Sequence, residues 1–134
     1  MRRNLGTLNG QLSRVLSEMG HTDQIVVTDA GLPIPRSVER VDLALREGIP
    51  RFLEVLDATL DEIVVQGALV SAEIKDASPE LLIELESRFD PLGITIEMVP
   101  HIEFKKRTAG ARAAVRSGEF TPFANVILTA GVAY

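Results

Sequence analysis

The chain has 134 residues, a net charge of −5 and no cysteine. That length suits one domain, spanning 1–134, that buries roughly two-thirds of its unfolded surface and needs no disulfide staple. Thiolate nucleophiles and zinc–thiolate sites are excluded, no basic stripe exists to neutralise a nucleic-acid backbone, and no run of about 18 apolar residues spans a membrane. Arg2 and Arg3 have no apolar run behind them, which argues against a signal peptide, and the absence of cysteine fits a reducing compartment. With 46% hydrophobic but only 4% aromatic residues, the core is expected to be aliphatic.

Leu8, Leu12, Val15, Leu16 and Met19 recur at helical spacing, which predicts an amphipathic helix over 8–19 with Thr7 as its N-cap and Gly20 as its left-handed terminator. His21 follows in a turn. Ile25-Val26-Val27 reads as a short buried strand, and Asp29 stands where it runs out. Pro33 and Pro35 then stiffen the loop from Asp29, because each fixes its own φ and extends the residue before it. A second strand is expected within 38–45, and a helix begins at Pro50 with Phe52, Leu53, Leu56 and Leu60 on its apolar face.

Ile63 to Val70 is a strand run interrupted by Gln66-Gly67, and Ser78-Pro79-Glu80 opens a helix. Ile94, Ile96 and Met98 alternate as a half-buried strand that ends at Pro100. His101 opens a short helix, Ala113-Ala114-Val115 is a strand, and the last strand runs from Asn125 to Ala130. Strands alternating with helices indicate an α/β fold with a largely parallel sheet.

Ligands bind beyond the carboxyl ends of strands in open parallel sheets. Asp29 and His101 each follow a strand and belong on that edge. His21 and Asn125 each precede one, and on an all-parallel sheet they fall at the opposite edge. Either the His21 turn folds over the sheet, or a second chain completes the site. Each residue also has a plain structural reading: a polar cap for the histidines, an Asx turn for Asp29, backbone satisfaction for Asn125, and a solvated face for Lys105 and Lys106. No Gly-rich phosphate loop and no metal-ligand spacing occur.

Five blocks resemble the D-ribose pyranase family, relatives of the fucose mutarotases. They are Gly20-His21-Thr22-Asp23, the loop Asp29 to Pro35, Ala72-Glu73-Ile74-Lys75, His101-Ile102-Glu103-Phe104-Lys105, and Gly118 to Asn125. They stand in family order across nearly the whole chain. The resemblance implies a cytoplasmic, cofactor-free isomerase that interconverts pyranose and furanose D-ribose ahead of its phosphorylation. It also implies a toroidal homodecamer with sites at subunit contacts. By position it makes His21 the proton donor, and has Asp29, His101, Phe123, Ala124 and Asn125 contact the sugar. The family usually carries tyrosine where this chain has Phe123, which keeps the apolar ring but lacks the hydroxyl. Two other classes of function fit the same residues: a non-catalytic sugar-binding assembly, and a phosphorylated histidine at position 21. A mutarotase for another sugar, such as fucose, is the nearest alternative within the isomerases.

Overall fold

The structure, a computed structural model, describes residues 1–3 and 6–134. Its elements in chain order are α1 (Gly10–Glu18), β1 (Gln24–Thr28), β2 (Glu39–Asp42), α2 (Phe52–Leu60), β3 (Val65–Ser71), α3 (Ile74–Ala77), α4 (Pro79–Phe89), β4 (Glu97–Val99), α5 (His101–Arg107), β5 (Ala113–Arg116) and β6 (Val126–Ala130). The six strands form one sheet in the order β2-β5-β1-β6-β3-β4. β1, β2 and β5 run parallel, as do β3 and β4, while β6 is antiparallel to both of its neighbours. β1 and β3 therefore point the same way, and only β6 is reversed.

That reversal corrects one expectation. Val27 pairs with Val126, so Asn125 enters β6 beside the end of β1 where Asp29 leaves it. Asn125 thus shares the edge of Asp29 and His101. His21 alone stays at the other edge.

Both sheet faces are covered, as a largely parallel sheet requires. Alternate residues of β1 split between them. Ile25 and Val27 pack with Leu12, Val15, Leu16 and Phe52 on the larger face, and Val26 packs with Leu32, Val38 and Phe104 on the smaller. Among the described residues no helix is long and apolar enough to cross a membrane.

The helix boundaries differ from expectation at their caps. Asn9, not Thr7, caps α1, accepting the Leu12 N–H on its side-chain oxygen at 2.8 Å. Gly20 does not terminate the helix in a left-handed conformation; Met19 closes it in an extended one. The positive φ falls instead on Thr22, at +70°. α2 begins at Phe52, two residues after Pro50, with Arg51 at its N-cap.

Candidate functional site

Loops at the carboxyl ends of β1 and β5, together with the start of α5, line an open cavity of about 580 Å³, within the usual range for small-molecule sites. Asp29, His101, Phe123 and Asn125 line it, with Lys105, Arg116 and Glu119. Ala124 lies next to them in the chain but is fully buried and is not among the lining residues.

Asp29 is held from two sides. Its Oδ1 accepts the N–H groups of Gly31 and Leu32 at 3.0 and 2.8 Å, the Asx turn that its Ala-Gly context suggests. Its Oδ2 accepts Nδ2 of Asn125 at 3.1 Å, while its own N–H donates to Asn125 Oδ1 at 2.9 Å. Asn125 is buried, so its amide fixes Asp29 and the turn that follows.

His101 is the first residue of α5, and its N–H donates to the carboxylate of Glu73 at 3.0 Å. Its Nδ1 lies 2.7 Å from the hydroxyl of Ser71, the last residue of β3. Phe104 stacks on the imidazole at 6.1 Å between centroids, and Phe123 meets it edge-on at 5.1 Å. Phe123 itself has a φ of +61°, a left-handed conformation in which a bulky residue is uncommon.

Glu119 braces the loop that carries Phe123. Its carboxylate accepts the N–H of Phe52 at 3.1 Å and the hydroxyl of Thr121 at 2.9 Å, and its carbonyl accepts the N–H of Ala30 at 2.8 Å. Burial pushes the Glu119 carboxyl up, but the N–H of Phe52, the hydroxyl and N–H of Thr121 and the N–H of Phe120 together hold it below its ordinary value. Arg116 donates to the carbonyl of Ala30 at 3.0 Å and to Asp42 at 3.2 Å, so its charge supports the Asp29 loop. Lys105 has no ion-pair partner among the described residues. It is one helical turn past His101 and lines the cavity with it, while staying exposed, as Lys106 does and as the sequence suggests.

His21 is not among the residues lining this cavity. It occupies a β-turn closed by the Asp23 N–H on the Gly20 carbonyl at 3.1 Å, and the Thr22 N–H anchors that turn to Ala130, the last residue of β6. The five residues of β1 separate the turn from Asp29, a rise of about 17 Å. The imidazole is exposed, and its Nε2 donates to Oε1 of Gln66 at 3.0 Å. Gln66 is displaced from regular pairing by the register shift between Val65 and Gly67. Asp23 secures the turn through the Gly20 N–H at 2.9 Å and Arg112 at 3.1 Å, and these two contacts, the first larger, hold its carboxyl below its ordinary value. No group of three or more metal-ligating side chains is present among the described residues.

Sequence reasoning misses Ser71, Gln66, Arg116 and Glu119. Only the i, i+4 spacing of His101 and Lys105 offers a local signal. The others act through contacts 30 or more residues apart in the chain, as between Ser71 and His101.

The sequence profile described as the RbsD / FucU transport protein family matches residues 2–133. A D-ribose pyranase of Laribacter hongkongensis is 48% identical over 134 residues, covering 100% of both chains. A D-ribose pyranase of Geobacillus kaustophilus is 45% identical over 129 residues, covering 96% of this chain and 93% of the relative. The structure of Bacillus subtilis RbsD complexed with D-ribose superposes with a TM-score of 0.95 at 42% identity, covering 100% of both chains.

Proposed function

The chain belongs to the RbsD / FucU transport protein family, and we propose that it is a D-ribose pyranase. It interconverts the pyranose and furanose rings of D-ribose by general acid–base catalysis and supplies the ring form that a later phosphorylation consumes. The observation that carries this reading is the full-length likeness to proteins called D-ribose pyranase, and to one complexed with D-ribose.

The chemistry asks little of the protein. The hemiacetal loses its hydroxyl proton while the ring oxygen gains one, the open-chain aldehyde forms, and a different hydroxyl closes the new ring. Proton transfer by positioned side chains commonly supplies ~10²–10⁴-fold. His21 protonates the ring oxygen. Asp29 and His101 hold sugar hydroxyls, Asn125 and Ala124 shape the floor beneath Phe123, and Phe123 covers an apolar face of the sugar.

His21 reaches the sugar only from another copy, because its own cavity lies at the far end of β1. The active form is therefore a homo-oligomer, a closed decameric ring of single 1–134 domains in the cytoplasm, with each site shared between neighbours. Exposed Phe120 lines the cavity, and with exposed Ile102, next to His101 in the chain, it offers apolar surface for such a contact.

Exchange NMR on D-ribose tests the activity. The protein should accelerate exchange between pyranose and furanose signals; contacts to ribose without faster exchange would leave a binding assembly instead. The missing phenol at Phe123 is what favours that second reading.

A further inference from the structure

We propose that Ser71 is a positioning residue that fixes the tautomer of His101, so that a Nε2–H donor faces the sugar. The inference rests on the sugar-site reading above, but its physical core is independent of it.

Ser71 is fully buried at the end of β3, and His101 Nδ1, 2.7 Å away, is the one hydrogen-bond partner of its hydroxyl among the described residues. A serine hydroxyl has one proton to give, and Nδ1 of a neutral imidazole either gives or receives. Were Nδ1 to carry the proton and donate to Ser71, the serine proton would be left without an acceptor in a place closed to solvent. Buried donors are almost never left so. Ser71 therefore donates to Nδ1, and the ring proton sits on Nε2.

The rest of the surroundings keep the ring from turning over. Glu73 caps its backbone, Phe104 lies along one face and Phe123 meets it edge-on. With Nδ1 committed to the sheet, Nε2 is the nitrogen left for the cavity that His101 lines. The cavity then pairs a donor at His101 with an acceptor at Asp29. A sugar oxygen that must accept faces the first, and a hydroxyl that must donate faces the second.

Histidine ¹⁵N spectra, recorded on the neutral ring without sugar, read the tautomer directly. Wild type should show His101 protonated at Nε2. Ser71→Ala should give a mixture of tautomers, and Ser71→Thr, which restores the hydroxyl, should return the wild-type pattern. In exchange assays Ser71→Ala should raise KM for ribose about five- to tenfold with a smaller change in kcat. A proton on Nδ1 in wild type, or an unchanged Nε2–H signature in Ser71→Ala, would overturn the inference. So would an altered tautomer with unaltered ribose affinity. Wild-type protein inert towards ribose would instead overturn the functional reading, while the spectra still decide the tautomer.

Discussion

Asp29 and Asn125 exchange two hydrogen bonds across the seam between β1 and β6: the Asp29 N–H to Oδ1 at 2.9 Å, and Nδ2 to the Asp29 carboxylate at 3.1 Å. The amide serves as acceptor and donor at once, a pairing that aspartate could not reproduce. Asn125→Asp would set a second carboxylate against the first in a buried position. Both effects raise the new group's folded pKa above its unfolded value. Its ionisation is then penalised in the fold, so the variant should lose stability as pH rises above the ordinary carboxylate range. At neutral pH we expect a loss of about 3 kcal/mol. Thermal melts at pH 4 and pH 7 check this; a gap from wild type that does not widen at pH 7 would refute it.

Glu119 has the opposite sign. Its folded pKa lies below the ordinary 4.5, so the stability it contributes is present above that value and is lost as pH falls through the folded pKa. Glu119→Gln removes the titration. The melting-temperature difference between wild type and variant should shrink between pH 6 and pH 3, and a constant difference would count against the assignment.

The proposed sharing of the site between copies makes a prediction about mixtures. His21→Ala and His101→Ala should each lose most ribose exchange, the first by about 10²-fold or more. Mixed and allowed to reassemble, the two inactive proteins should recover part of the activity, because some sites combine an intact His21 with an intact cavity. Sites built from one chain would stay inactive in every mixture.

Gly118 sits where the segment 46–50 crosses the loop. A Cβ there would lie 2.5 Å from the Arg46 carbonyl oxygen and 2.8 Å from the Ile49 nitrogen. These are backbone atoms with little room to give. Gly118→Ala should cost about 1–3 kcal/mol, read as a lower urea midpoint.

Phe123→Ala removes the edge contact to His101 at 5.1 Å. Aromatic pairs of this kind contribute about 0.5–1.5 kcal/mol beyond buried area, so the variant should lose at least about that much stability, read as a lower urea midpoint.

The strands are legible in the sequence because β-branched runs such as Ile25-Val26-Val27 favour strand structure and are bounded by turn residues. The α4 start at Ser78-Pro79 is legible for a similar local reason. The direction of β6 is not. Residues 126–130 carry a buried, nearly continuous apolar run in either orientation, and only their partners decide it. Pattern alone therefore puts Asn125 at the wrong edge. The turn at His21 misleads in a smaller way: glycine at position 20 advertises a left-handed residue, yet Thr22 adopts it, because its N–H is drawn to Ala130.

The reversed β6 gives one strand custody of both chemical ends. It starts at Asn125, which grips Asp29, and finishes at Ala130, which grips the His21 turn. A lengthwise slip of this single strut would disturb the exposed imidazole at one end and the Asp29 pocket at the other, in the same movement.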